Sequence, residues 1–320
     1  MTAAETVSPE NVHRANIRGI LAMMTSMLAL TANFAFVKLA GASLPVGQVL
    51  FLRGLIAASI IAAVILLTGA YRRYRQVMHR TVLWRTLCEC GSAVMFVTAL
   101  MHIPIANATV ILQIMPLLVT AGAALWLGER VHWRRWLAIS LGLVGVLIVI
   151  RPGATGLHWA SLLMLGAVLL SAVRDITTRR MPPGIPTVLV AVIALSTLSL
   201  IGLSFASFED WVVPDRKALL QVGGSGVLLS VGMFSVVLAM RGGEVSIIAP
   251  FRYSAILWAT ILGYLLWGET LDLPTAAGAL IIVGSGAYIS YRERLFRATV
   301  PAVRTDAAAE VVRPGERRDR

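Results

Sequence analysis

Leu125-Trp126-Leu127-Gly128-Glu129 and Leu265-Leu266-Trp267-Gly268-Glu269 are two versions of one short motif, 140 residues apart. Each copy follows an apolar helix-length run and precedes another run that contains glycine. Arg151 and Arg292, each just past that next run, keep nearly the same offset. The chain therefore reads as an internal repeat, and the number of segments per repeat decides the architecture.

Apolar segments recur at about 19–37, 46–68, 82–101, 105–127, 136–150, 157–173, 185–206, 218–240, 245–267 and 275–291. A spanning helix needs about 20 mostly apolar residues, with ~17 as the short limit. Hydrophobic residues make up 58% of the 320-residue chain and charged residues 14%, whereas soluble domains carry roughly 45–50% and 25%. Short alternating strands, the mark of a membrane barrel, are absent from the pattern. The expectation is an all-α polytopic membrane protein with ten transmembrane helices. Five crossings per repeat is an odd number, so the second half enters from the opposite side. The arrangement is an inverted repeat, common in secondary transporters, with the site at the repeat interface near the middle of the membrane.

The net charge of +12 raises nucleic acid as a partner, and its distribution removes the need for one. With a cytoplasmic N-terminus and ten crossings, 21 of the 28 Lys and Arg fall in cytoplasmic segments, four outside and three within helices. This is the positive-inside bias of a membrane protein. The divisions expected are a cytoplasmic N-terminal segment 1–17, repeats 18–151 and 157–291, and a disordered cytoplasmic tail 298–320. Location in the inner (cytoplasmic) membrane with both termini cytoplasmic follows. Cys88 and Cys90, two residues apart on one helix, point to different sides and read as buried thiols.

The residues also resemble a known family. Two five-helix halves, each with a Gly-Glu link between its fourth and fifth helices, are similar to the EamA family of the drug/metabolite transporter superfamily. Asn33-Phe34 with Lys38, Pro45 with Arg53, and Pro250-Phe251-Arg252-Tyr253 carry the likeness further. It covers roughly residues 18–291. Thr31-Ala32 stand where the family often has Trp-Gly, so no substrate class is carried over. The resemblance implies ten helices, cytoplasmic termini, and export or exchange of small metabolites.

A charge at a helix centre costs about 2.5–3.5 kcal/mol on insertion scales, so intramembrane ionisable groups are candidates for the site. They are Arg53, Glu89, Arg174, Asp175 and Arg252. Arg252 shares a stripe with Ala249, Ala255, Ala259 and Gly263, and small residues face other helices rather than lipid. It lies ~12 Å inside its helix, with Pro250 before it to break the backbone hydrogen bonding. Glu89 lies at about 10 Å from the same side, within reach of Arg252, and is the candidate proton carrier. Its alternative partner is Arg85.

Arg174 and Asp175 are adjacent, about 100° apart around the axis, and are expected not to face each other. Asp175 is assigned to Arg179 as a helix-end pair. Arg174 shares a stripe with Ala160, Ala167 and Ser171, facing the path or snorkelling to the surface. Arg53 and Lys38 are expected to make the outer half of the cavity positive. Asn33 and Gln113 add neutral polar contacts, and Tyr253 a further contact. Asp175, Lys38, Pro250, Glu129 and Glu269 are structural or gating candidates.

The reading is a transporter, not an enzyme, moving a small carboxylate-bearing molecule such as an amino acid or organic acid. Without a Walker-A sequence, energy comes from an ion gradient, with a coupling proton as candidate, or from exchange. No cofactor is expected. The partners expected are the substrate and the lipid bilayer, with no nucleic acid; a homodimer has no support in the sequence. Two competing readings are an intramembrane serine protease using Ser225 in Gly223-Gly224-Ser225-Gly226, and a passive channel.

Overall fold

The computed structural model describes residues 9–69, 77–126, 133–151, 158–182, 185–242 and 245–299. Its helices are α1 (Pro9–Ala40), α2 (Val46–Thr68), α3 (Arg80–Leu100), α4 (Ile105–Leu112), α5 (Met115–Trp126) and α6 (Trp133–Ile150). The second half has α7 (Trp159–Arg179), α8 (Thr187–Ser204), α9 (Arg216–Gly242), α10 (Val245–Ile248), α11 (Ser254–Trp267) and α12 (Leu273–Thr299). The chain is an all-α, multi-pass membrane protein with two repeats.

Among the described residues, eight helical stretches are long and apolar enough to cross a membrane, counting α4 and α5 as one. Two expected segments fall short for local reasons. The apolar part of α12, Leu273–Ile289, is shorter. The segment before the second Gly-Glu is broken: α10 passes into a 3-10 turn over Ala249–Tyr253 before α11 begins. At the other end α1 starts at Pro9, so the helix runs back through the second half of the expected N-terminal segment 1–17. Likewise α12 continues past Tyr291 to Thr299, and the rest of the tail lies outside the described residues.

The packing carries the repeat. The principal helix pairs are α1 with α9, α3 with α7, α2 with α8, and α6 with α12. Exchange the halves, so that α1 becomes α7, α2 becomes α8, α3 becomes α9 and α6 becomes α12. The first two pairs then trade places and the last two map onto themselves. The secondary contacts obey the same exchange: α1 on α11 becomes α7 on α5, and α3 on α8 becomes α9 on α2.

Both self-paired contacts rest on glycine. A Cβ on Gly202 would lie 2.8 Å from the Gly47 carbonyl oxygen, and one on Gly278 would lie 2.6 Å from that of Gly145. Only bare backbones approach so closely, which is how membrane helices gain packing without a hydrophobic driving force.

Candidate functional site

Two broken helices meet inside the bundle. Pro116 lacks the N–H that would bond the Leu112 carbonyl, and the helix stops at Leu112 and restarts at Met115. Pro250 has the same effect in the second half, where a 3-10 turn replaces helix. Under the 140-residue offset, Gln113 falls on Tyr253, so the breaks are counterparts. They also touch: Gln113 Nε2 donates to the Arg252 carbonyl oxygen at 3.1 Å, and α4 packs on α11. Non-helical backbone at membrane depth is tolerated where it is buried in protein or lines a cavity.

Around this junction, buried polar atoms lack partners. Asn33 on α1 is fully buried, and neither its amide nitrogen nor its oxygen is hydrogen-bonded. Thr109 Oγ1 on α4, and Ser254 Oγ and Trp258 Nε1 on α11, are also buried and unbonded. Each such group costs about 1–3 kcal/mol. α1, α4 and α11 pack on one another, so these orphaned groups concentrate on three touching helices. Thr109, Ser254 and Trp258 were not legible as site residues: Ser and Thr in apolar helices commonly bond to their own backbone, as Thr31 does to the Met27 carbonyl.

Two arginines have no directly bonded carboxylate among the described residues, although Glu89 is near enough to Arg53 to act on it electrostatically. Among the described residues neither Arg53 on α2 nor the Arg252 side chain has a hydrogen bond or ion pair, and both are half-buried. The stripe below Arg252 is buried as expected, through Ala255, Ala259 and Gly263. Tyr253 packs against α12, with its hydroxyl over the bare Cα of Gly286.

The expected reach of Glu89 to Arg252 does not occur. Glu89 Oε1 accepts from Arg174 Nη1 at 3.0 Å, and Oε2 is paired with Arg85 Nη2 at 3.4 Å. Arg85 Nε also donates to Thr178 Oγ1 at 3.2 Å, which ties α3 to α7. Nor do Arg174 and Asp175 avoid each other. Arg174 Nε and Nη2 both lie 2.8 Å from Asp175 Oδ1. The 100° between adjacent Cβ vectors misled because a guanidinium on a three-carbon stem folds back further than that angle excludes. Arg174 does rise from the buried Ala160, Ala167 and Ser171 stripe. Two arginines and two carboxylates thus form one balanced network near the arginine-rich end.

Lys38 adds no free charge. Its Nζ donates to Glu269 Oε1 at 2.6 Å and to the Ile103 carbonyl at 2.8 Å, and lies 4.9 Å from the centre of the Trp267 ring. Glu269 Oε2 accepts from the Ile105 N–H at 2.9 Å, capping the N-terminus of α4 where a negative charge is favoured. One carboxylate from the second half therefore closes on α1 and α4 of the first. Glu269 is placed by its motif: Gly268 adopts φ 66° and ends α11. Glu129, its counterpart, lies outside the described residues. A second link at this end, between Arg151 and Asp272, joins α6 to α12. Thr275 N–H also donates to Asp272 at 3.1 Å. Partial burial pushes the Asp272 carboxyl up, but the bonds from Thr275 and Arg151 outweigh it and hold it below 3.8.

Ser225 is not set up as a nucleophile. It is fully buried and its hydroxyl donates to the Val222 carbonyl at 2.7 Å on its own helix. Cys88 and Cys90 are free and buried.

The comparisons with known proteins follow this geometry. A model of the EamA-like transporter family matches residues 17–151 and again 158–291. A riboflavin transporter of Vibrio cholerae is 28% identical over 192 residues, 60% of this chain and 64% of that protein. An S-adenosylmethionine uptake transporter of Rickettsia bellii is 27% identical over 195 residues, 60% of this chain and 65% of that one. Both alignments span slightly less than two thirds of the relative. The pseudopaline exporter CntI of Pseudomonas aeruginosa is 27% identical over 275 residues, covering 80% of this chain and 92% of its own. A solved crystal structure shares the fold with a TM-score of 0.61 at 21% identity, over 87% of this chain and 97% of that one. With both halves matched by one model, and relatives that are transporters rather than enzymes, the chain belongs to the EamA-like transporter family.

Proposed function

We propose that this small-molecule transporter moves a carboxylate-bearing metabolite, such as an amino acid or small organic acid, by alternating access. The observation that carries the reading is the pair of guanidiniums without a direct ion pair, Arg252 and, with only the more distant Glu89 acting on it, Arg53, in a bundle whose other described intramembrane charges are paired. A buried unpaired charge is costly, and a substrate anion supplies the missing partner. Arg252 stands beside the junction of the two breaks. Asn33, Gln113, Ser254 and Trp258 are within the same three-helix region and offer neutral donors and acceptors to the rest of the molecule. The Glu89–Arg174–Asp175 network lies toward the arginine-rich mouth. Glu89 is its proton-accepting member if transport is proton-coupled.

Both termini on the cytoplasmic side of the inner membrane agree with the arginine distribution. Export or exchange is the proposed direction: the relative aligned through both halves is named an exporter, while the alignments with the riboflavin and S-adenosylmethionine transporters cover 60% of the chain.

Counterflow in proteoliposomes tests the proposal. Vesicles preloaded with unlabelled amino acids and organic acids are assayed for accumulation of the labelled compound. A matching pair gives transient accumulation that saturates. A passive channel gives none. Arg252→Leu should abolish counterflow while the protein still inserts and purifies, and full transport by that variant removes Arg252 from the site.

A further inference from the structure

The packing of α6 on α12 leaves a wedge on the bundle's outer surface. The two helices touch backbone to backbone at Gly145 and Gly278. About 9 Å further along α12, a Cβ added to Gly284 meets nothing within 4 Å. The helices stay close at this level, a Cβ on Gly142 lying 3.1 Å from Ser285 Oγ, and Gly284 faces outward. Along the outside of this contact runs a crevice of about 440 Å³, walled by Trp133, Leu137 and Leu141 on one side and by Gly284 and Tyr288 on the other. That volume falls in the range of small-ligand sites, about 300–1,000 Å³. It opens sideways: Trp133, Leu137, Leu141 and Tyr288 are all exposed on the bundle surface.

Its chemistry is graded. The buried lining is Ala138 and Ser285, whose hydroxyl is already bonded to the Ile282 carbonyl, and Leu137 and Leu141 make an apolar outer wall. The mouth carries Arg134, whose guanidinium lies 5.5 Å from the centre of the Trp133 ring. Arg134 is exposed and has no acid partner among the described residues. Tyr288 brings a hydroxyl to the same mouth. Aromatic residues at this level favour the boundary between acyl chains and headgroups, and basic pockets between transmembrane helices suit anionic headgroups.

We infer that this wedge is a binding site for one anionic glycerophospholipid of the leaflet at the arginine-rich end. An acyl chain lies along Leu137 and Leu141 over Gly284. The phosphate sits at Arg134, with Tyr288 donating to a headgroup oxygen. The site faces away from the helix-break junction and is independent of the substrate proposed there.

Native mass spectrometry of the purified full-length protein, titrated with phosphatidylglycerol or phosphatidylcholine, tests this directly. The expected result is one retained phosphatidylglycerol, bound about fivefold more tightly than phosphatidylcholine, the effect of one arginine near an anionic surface. Arg134→Gln should erase the preference and keep the weaker binding. Gly284→Leu, whose Cβ meets no neighbour within 4 Å, should weaken both lipids about tenfold. Equal retention of the two lipids by the unaltered protein overturns the proposal. So does unchanged binding in Gly284→Leu, or a dimer that buries this face and is lost in the same variant. Lipid retention is read without transport, so failure here leaves the substrate proposal standing and the converse holds.

Discussion

Glu269→Gln separates the charge of the outer contact from its shape. Lys38 and the Ile105 N–H bond different carboxylate oxygens, at 2.6 and 2.9 Å, and the amide has one oxygen, so it keeps one of the two acceptors and turns its NH2 toward the other donor. The Lys38 and Glu269 side chains are only 12% and 18% exposed, so solvent screens the pair weakly and the range of about 0–1 kcal/mol for surface pairs does not apply. A hydrogen bond to a charged group contributes about 1.5–3 kcal/mol against about 1 kcal/mol for a neutral one. One such bond is downgraded and the other lost, for a loss of about 2 kcal/mol at the low end from the closed arrangement of this end.

If the contact holds the outer mouth shut, that loss shifts the ratio of open to closed molecules about thirtyfold, at 1.4 kcal/mol per factor of ten. The assay is labelling of Ser254→Cys by a membrane-impermeant maleimide, with Cys88 and Cys90 replaced by alanine. Labelling from the Lys38 side should accelerate by that factor until the open form dominates. In a Lys38→Met background the same Glu269→Gln change should have a clearly smaller effect, because only the Ile105 bond is left to weaken. An unchanged labelling rate in the single variant, with normal insertion, refutes the gating role.

Gly145→Leu and Gly278→Leu should each cost about 1–3 kcal/mol, read as a lower unfolding temperature in detergent, because a Cβ at either position presses on backbone 2.9 Å and 2.6 Å away. Ser225→Ala should transport at the parent rate, since its hydroxyl serves only the Val222 carbonyl. Asp272 sets an acid limit: its folded carboxyl is held below 3.8, so its contribution is present above that value and is lost as pH falls through the lower folded value. Asp272→Asn should remove that portion of the stability decline below about pH 4, followed by thermal unfolding across pH.

The ten apolar runs and the repeated Gly-Glu motif made the bundle legible, because membrane burial writes itself into composition and an odd crossing number dictates inversion. Side-chain partners were legible only where helix geometry left one choice. Glu89 was assigned to Arg252 from depth alone, and depth ignores which helices touch: α3 packs on α7, so Arg174 takes the carboxylate. Lys38 was counted as free positive charge because its partner sits 231 residues away, and no local spacing announces such a contact. The orphaned Asn33 stood out beforehand, being amide-bearing in an apolar helix. Thr109 and Ser254 did not, since their hydroxyls have an i−4 carbonyl as the default acceptor.

The exchange symmetry of the packing constrains how the molecule moves. Since α1 on α9 becomes α7 on α3, and α1 on α11 becomes α7 on α5, the principal scaffold contacts come in matched pairs, and swapping the roles of the halves conserves those interfaces. What differs between the ends is the charge chemistry. The Lys38 end is fastened by a carboxylate from the second half that also caps a helix of the first. At the arginine-rich end, Arg180 donates to the Trp126 carbonyl, the last residue of α5. That bond joins α7 to α5, the symmetry mate of the α1–α11 contact beside Lys38, but uses a neutral acceptor. A cation meeting a carbonyl holds less firmly than a cation meeting a carboxylate. Among the described residues the α7–α5 contact thus has the weaker kind of bond; Glu129, the counterpart of Glu269, lies outside them, and the ion pair of Glu89 with Arg174, flanked by Arg85, joins α3 to α7 at the same end. If the α7–α5 bond decides, the arginine-rich mouth opens first, and in the proposed orientation it presents Arg252 to cytoplasmic substrate. Labelling of Ser254→Cys in the otherwise unaltered gate should then be faster from the cytoplasmic side than from outside, and the reverse order would mean that the Arg180 contact, not Lys38–Glu269, is the stronger fastening.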